Sequence, residues 1–162
     1  MEKRVGFIGL GNMGTPMSGR LLEAGYEVWG YDTNPDAVEV LVQRGGRAAA
    51  SIGEVAQNPP TVLLSLPDSK AVEGVVEGEG GLLRTAVTGQ VIIDMSTSHP
   101  SSTRRLGKLL KEKGIDFLDA PVSGGVRGAV AGTLTVMVGG EENLFEKSEP
   151  VLRVFGPNVH YV

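Results

Sequence analysis

The sequence of 162 residues contains no cysteine, few aromatic side chains and no excess of basic residues. The absence of cysteine excludes disulfide scaffolds, thiolate zinc sites and cysteine nucleophiles, and it favours a cytoplasmic protein with no metal. The 15 lysines and arginines stand against 19 aspartates and glutamates, which gives a formal charge of −4. No basic run is longer than Arg104-Arg105. Nucleic acid is therefore not an expected partner.

Long hydrophobic runs are also missing. The amino end leads into a short apolar stretch around residues 5–8 before further glycines follow. Such a stretch is too short for a signal-peptide core or a membrane-spanning helix, which needs about 20 apolar residues. We therefore expect a soluble protein without a membrane partner. A length between about 100 and 200 residues predicts a single domain.

Glycine is abundant, with 24 residues that stand mostly at the ends of short apolar runs. These runs are rich in β-branched residues, which is typical of strands buried on both faces. Segments with helical spacing of apolar residues lie between them. The predicted strands are residues 5–8, 28–31, 62–66, 91–94, 117–120, 134–138 and 159–162. The alternation predicts an α/β fold, a Rossmann-type doubly wound, mostly parallel sheet with helices on both faces, over residues 1–162.

Helix starts have recognisable signals. Asn34 precedes Pro35, Asp68 or Ser69 precedes an apolar run, and Ser101 follows a proline. A last helix is predicted over residues 141–153. Residues 121–132 interrupt the alternation, because five of them are glycine or proline. The alternation resumes with the strand predicted over residues 134–138.

Gly9, Gly11 and Gly14 form a Gly-x-Gly-x-x-Gly motif between the first predicted strand and the first predicted helix. In a dinucleotide-binding loop the first glycine permits a tight turn, the second lets a pyrophosphate approach the backbone, and the third lets helix pack on strand. The amides and dipole at the helix start favour the anion. The alternative is a tight turn without a ligand.

Asp32 stands at the end of the second predicted strand, 18 residues after Gly14. Dinucleotide fingerprints have an acidic residue about 20 positions after the glycines, where it accepts hydrogen bonds from the ribose hydroxyls. A carboxylate in this position repels a 2′-phosphate, so NAD is favoured over NADP. The structural alternative for Asp32 is an ordinary helix cap.

Four segments in order resemble the β-hydroxyacid dehydrogenases, the family of 3-hydroxyisobutyrate dehydrogenase. They read F-I-G-L-G-N-M-G-T-P-M-S at residues 7–18, L-P-D at 66–68, D-M-S-T-S at 94–98 and D-A-P-V-S-G-G at 119–125. G-A and A-G-T-L follow at residues 128–129 and 131–134. The resemblance covers essentially the whole chain but only the amino-terminal, NAD-binding domain of the family. The family's all-helical carboxyl-terminal domain is absent from this sequence.

The resemblance implies a set of site residues. Cofactor-binding residues are expected at Gly9, Leu10, Gly11, Asn12, Met13, Gly14, Asp32, Leu66, Pro67 and Thr97. Substrate-binding residues are expected at Ser96, Ser123, Gly124 and Gly125, the last three holding the carboxylate of a small hydroxy acid such as 3-hydroxyisobutyrate. The structural alternatives are a glycine turn at residues 123–125 and a helix cap at Ser96 or Thr97.

The family's general acid/base is a lysine on the first helix beyond this domain, and the sequence ends at Val162, before that helix. No catalytic residue is therefore expected in this chain. Lys108, Lys111 and Lys113 fall on the polar side of a predicted helix, which indicates a solvated face. His99 stands beside a site segment but is more often incidental in such a loop. The resemblance further implies a homo-oligomer for the full-length enzyme.

Three alternatives remain open. One is an NADPH-dependent semialdehyde or glyoxylate reductase of the same family, against which Asp32 argues. The second is 6-phosphogluconate dehydrogenase, for which we expect a different glycine-loop sequence. The third is a dinucleotide-binding module without catalysis.

Overall fold

The computed structural model describes residues 2–57 and 59–162, over which strands and helices alternate. The strands are β1 (Arg4–Ile8), β2 (Glu27–Tyr31), β3 (Arg47–Ala48), β4 (Thr61–Leu64), β5 (Val91–Asp94), β6 (Asp116–Asp119), β7 (Val122–Ser123), β8 (Thr135–Val138) and β9 (Asn158–Tyr161). The helices are α1 (Gly14–Glu23), α2 (Pro35–Gln43), α3 (Ile52–Gln57), α4 (Ser69–Glu77), α5 (Leu82–Thr85), α6 (Pro100–Lys111), α7 (Gly125–Ala131) and α8 (Glu142–Leu152). Within the described ranges, none of these helices has the length and apolar character of a membrane span.

The first six strands form one parallel sheet in the order β3-β2-β1-β4-β5-β6. The chain fills one half of the sheet outward from β1 and then returns to fill the other half from β4. The predicted Rossmann-type doubly wound α/β fold is confirmed. A crevice opens beyond the carboxyl ends of the strands where this order reverses, between β1 and β4.

Successive residues of the central strands face two separate apolar layers. Phe7 and Leu63 are fully buried against the layer that includes Met17 of α1. Ile8 and Leu64, one position further along the same strands, are buried in the layer on the opposite face, among residues of α3, α4 and α6. Burial of each such side chain stabilises the fold by about 1.5–3 kcal/mol. The continuous apolar runs in the sequence follow from this two-sided burial.

The last strands form a smaller sheet in the order β7-β8-β9, with β7 antiparallel to β8 and β8 parallel to β9. The two sheets are joined where Asp119 and Gly139 exchange backbone hydrogen bonds of 3.1 and 2.7 Å. This connection places β7 and the start of α7 beside the carboxyl end of the main sheet.

Residues 121–132 are more regular than their glycines and prolines predict, because they contain β7 and α7. Gly128 and Ala129 of α7 are buried, and a Cβ at Gly128 would lie 3.0 Å from the Leu134 side chain. Close packing of small residues therefore stabilises a helix of low intrinsic propensity.

Other differences concern short elements and boundaries. The predicted elements omit β3, α3 and α5, which have two to six residues each. The strand predicted over residues 62–66 ends at Leu64. The helix expected to start at Ser101 begins at Pro100, and His99 is its N-cap residue. Asn34 and Asp68 cap α2 and α4 as predicted, each by accepting a backbone amide hydrogen bond.

Candidate functional site

The first and third glycines of the loop between β1 and α1 are required by packing. Gly9 has a φ of +98°, and a Cβ there would lie 2.1 Å from the carbonyl oxygen of Ser65. A Cβ at Gly14 would lie 1.9 Å from the carbonyl oxygen of Gly9. Any side chain at either position would therefore force β1, α1 and β4 apart.

The second glycine has no such role. A Cβ at Gly11 would meet no protein atom within 4 Å, and the residue is exposed. The backbone amides of Gly11, Asn12 and Met13 have no acceptor among the residues that the structure describes. These amides precede α1, whose dipole places partial positive charge at the same point. The arrangement suits an anion that approaches the backbone closely.

The Asp32 carboxylate bridges two loops. Its Oδ2 accepts a hydrogen bond of 2.7 Å from the amide of Leu10, and its Oδ1 accepts one of 2.8 Å from the amide of Asn34. Asn34, not Asp32, caps α2. A carboxylate has about four acceptor positions, so each oxygen keeps one for a ligand hydroxyl. The helix-cap interpretation of Asp32 is therefore wrong.

A cleft of about 930 Å³ lies at the carboxyl ends of β1, β4 and β5. It is lined by eleven of the predicted site residues: Gly9, Gly11, Asn12, Met13, Gly14, Asp32, Leu66, Pro67, Ser96, Thr97 and Gly125. Three predicted residues do not line it. Leu10 is buried and contributes its amide to Asp32, whereas Ser123 and Gly124 are exposed immediately beside the cleft.

Several lining residues were missed by the sequence analysis. They are Ile8, Tyr31, Thr33, Ile52, Ser65, Ala71, Gly74, Val75, Met95 and Val122. Ala71, Gly74 and Val75 share one face of α4, at the helical spacing of three and four residues. The cap at Asp68 followed by small residues at this spacing was a usable signal. The remaining residues become neighbours only through the sheet.

Two carboxyl groups lie at the carboxyl ends of β5 and β6. Asp94 and Asp119 are paired in register on β5 and β6, so their side chains share one face of the sheet. Burial raises the pKa of Asp94, although hydrogen bonds from Ser96 and Ser98 oppose the shift. Burial, followed by the charge of Asp94, raises the pKa of Asp119 to about 6. Asp119 Oδ1 is buried without a hydrogen-bond partner among the described residues.

The segment from Ser123 to Gly125 joins β7 to α7. Gly124 has a φ of +134° and Gly125 a φ of +63°, values that strongly favour glycine. A Cβ at Gly124 would lie 3.0 Å from the Leu134 side chain, whereas a Cβ at Gly125 would meet nothing within 4 Å. The segment is thus a turn between strand and helix, and its exposed end at Gly125 also faces the cleft.

No lysine or histidine of the described ranges lines the cleft. Lys108 is exposed on α6, and Lys111 forms an ion pair with Glu141. His99 is exposed, and its Nδ1 lies 3.1 Å from the hydroxyl of Ser101. The described residues also contain no group of three acidic, histidine or cysteine side chains close enough to hold a metal ion.

Comparisons with known proteins agree with this geometry. The family model for the NAD binding domain of 6-phosphogluconate dehydrogenase matches residues 4–162. The chain is 47% identical to 2-(hydroxymethyl)glutarate dehydrogenase of Eubacterium barkeri, over 100% of this chain and 54% of that protein. It is 42% identical to NAD-dependent L-serine dehydrogenase of Pseudomonas aeruginosa, over 98% of this chain and 53% of that protein.

A solved structure is similarly close. The 3-hydroxyisobutyrate dehydrogenase of Mycobacterium tuberculosis with L-serine superposes with a TM-score of 0.91 at 35% identity, over 99% of this chain and 54% of that chain. The chain therefore spans about half the length of the relatives it matches.

Proposed function

The chain belongs to the family of the NAD binding domain of 6-phosphogluconate dehydrogenase, and from this premise we propose that it is the amino-terminal domain of a β-hydroxyacid dehydrogenase and binds NAD in the cleft beyond β1, β4 and β5. The full-length enzyme transfers hydride between the cofactor and a small 3-hydroxy acid of the 3-hydroxyisobutyrate type. Bound NAD supplies the hydride acceptor, and the residues of this chain hold and orient it.

The observation that carries the proposal is the contrast among the three loop glycines. A Cβ added at Gly9 or Gly14 would lie about 2 Å from a backbone oxygen, so neither position has room for a side chain. A Cβ added at Gly11 would instead enter open space. The amides of residues 11–13, which have no acceptor among the described residues, adjoin that space at the start of α1. The Gly11–Met13 backbone would hold the pyrophosphate, and the two remaining acceptor positions of Asp32 would hold the ribose hydroxyls.

Asp32 also supports the choice of NAD over NADP. Its two oxygens are fixed by the amides of Leu10 and Asn34, so the carboxylate cannot turn away from a 2′-phosphate without losing both hydrogen bonds. The alternative, an NADPH-dependent reductase of the family, requires the opposite charge at this position.

The substrate end of the proposal rests on the segment from Ser123 to Gly125, and Thr97 belongs to the cofactor-binding set. Thr97 and Gly125 line the cleft beyond the glycine loop. The hydroxyl of Ser123 and the amides of the two glycines provide donors for a carboxylate. Because no described lysine or histidine lines the cleft, we place the general acid/base in the second half that the relatives possess. Homo-oligomer formation by the full-length enzyme stays a prediction.

The test is a calorimetric titration of the 162-residue chain with NAD and with NADP. We expect NADP to bind at least about tenfold more weakly, because its phosphate meets a fixed carboxylate. Asp32→Ala should weaken NAD binding by about tenfold to a hundredfold, since it loses two charge-assisted hydrogen bonds, and should abolish the preference. Equal affinities in the unsubstituted chain would show that Asp32 does not face the ribose.

A further inference from the structure

Ser96 is buried, with 4% of its surface exposed, although it stands in a segment predicted to contact substrate. Its Oγ accepts a hydrogen bond of 2.8 Å from the backbone amide of Leu66. Leu66 lies 30 residues earlier, in the loop that joins β4 to α4 and lines the cofactor side of the cleft. The hydroxyl therefore connects two site loops.

The amide of Leu66 needs this acceptor because the sheet no longer provides one. The Met95 amide donates to the Leu64 carbonyl, and the Ser65 amide donates to the Ile8 carbonyl. These two are the last backbone hydrogen bonds that join the end of β4 to its neighbouring strands. Pro67 follows and has no amide hydrogen. The loop beyond the sheet is therefore held at Leu66 by the Ser96 side chain rather than by a backbone hydrogen bond to a neighbouring strand.

Asp94 fixes Ser96 in turn. The fully buried carboxylate accepts the Ser96 amide at 3.0 Å through Oδ1 and the Ser98 hydroxyl at 2.8 Å through Oδ2. The chain thus forms a tight turn after β5 in which the Ser96 side chain points back towards β4. Ser98 stabilises the same turn but makes no hydrogen bond to the Leu66 loop.

We propose that Ser96 is a positioning residue for the cofactor: through its hydrogen bond to the Leu66 amide it sets the loop between β4 and α4 against the bound dinucleotide. This inference rests on the proposed function and reassigns Ser96 from a substrate contact to the cofactor side. Its partner Asp94 acts through Ser96 and touches neither ligand. Thr97, the next residue, is exposed and lines the cleft.

The experiment compares Ser96→Ala with Ser98→Ala in the 162-residue chain. Both variants lose one hydroxyl from the same turn, but only the first removes the acceptor of the Leu66 amide. Hydrogen exchange of the Leu66 amide is followed by NMR without ligand, and NAD affinity is measured by calorimetry. We expect Ser96→Ala to accelerate Leu66 exchange by about tenfold and to weaken NAD binding by about threefold to tenfold, as the loss of one hydrogen bond predicts.

Ser98→Ala should leave both quantities within about twofold of the parent chain. The proposal is overturned if Ser96→Ala leaves exchange and affinity unchanged, or if Ser98→Ala alters both to the same degree. If the parent chain binds no NAD, the proposed function fails, and the Leu66 exchange rates still decide whether Ser96 holds the loop.

Discussion

The proposed cofactor side and the proposed substrate side of the cleft are built in different ways. On the cofactor side, the glycine loop and Asp32 come from consecutive elements of one sheet, and their spacing in the sequence already places them together. On the substrate side, Ser123 to Gly125 reach the cleft only because a second, smaller sheet is attached to β6 through Asp119 and Gly139. Local motifs thus determine the first side, and long-range pairing determines the second.

Turnover provides the strongest test of this division. If the cofactor side is complete, the 162-residue chain should bind NAD. If the substrate side lacks its acid/base, this chain should form NADH from 3-hydroxyisobutyrate at least about a hundredfold more slowly than a chain extended through the following residues of its reading frame. Absorbance at the NADH band measures both rates. Comparable rates would place the base within this chain, with His99 or a lysine as the first candidate, whereas a stop codon after Val162 would favour a binding module without catalysis.

Two matched substitutions separate ligand binding from packing within the cofactor side. Gly11→Val should weaken NAD binding by about a hundredfold and change the melting temperature by only a few degrees, because its side chain fills space that the protein leaves open. Gly14→Val should instead destabilise the fold by about 2–4 kcal/mol, because its Cβ would overlap the Gly9 carbonyl oxygen.

Calorimetric binding and thermal melting of both variants check this expectation. A large loss of stability in Gly11→Val, together with normal NAD binding by the folded fraction, would mean that Gly11 serves packing. The assignment of the pyrophosphate to this loop would then be wrong.

A smaller effect concerns the acidic pair Asp94 and Asp119 at the ends of β5 and β6. The folded-state pKa of Asp119 is about 6, above its usual value of 3.8, so the folded chain binds this proton more tightly than the unfolded chain. The associated stability is fully present below pH about 4 and is lost as the pH rises through 6. Asp119→Asn does not titrate and should be about 1–2 kcal/mol more stable than the parent chain at pH 7.5, with the partial exposure of Asp119 limiting the effect.

Urea unfolding of both chains at pH 4, 5, 6 and 7.5 measures this difference, which should narrow towards pH 4. If the difference in unfolding free energy between the two chains stays constant over this pH range, the effect of Asp119→Asn on stability does not come from the charge of Asp119.

The sequence by itself determined the doubly wound fold and predicted the residues of the proposed cofactor side. Continuous apolar runs indicate strands that are buried on both faces. No other residue can replace a glycine that turns tightly or packs against a backbone oxygen, so each such glycine can be interpreted from the sequence alone. Asp32 was found in the same way, because its distance from the glycines is set by one helix and one strand.

Only the tertiary structure decided where Ser96 points, that α7 forms despite its glycines, and which residues of α3 and α4 complete the cleft. Ser96 bonds to a residue 30 positions away, Gly128 packs beneath Leu134, and Ile52 and Val75 both line the cleft although 23 positions separate them. The bond from Ser96 follows from the pairing of β4 with β5, and the pattern of apolar residues along the sequence does not record which strands pair. The physical reason is that burial and hydrogen bonding between distant segments override local propensity wherever an element is too short to be stable alone.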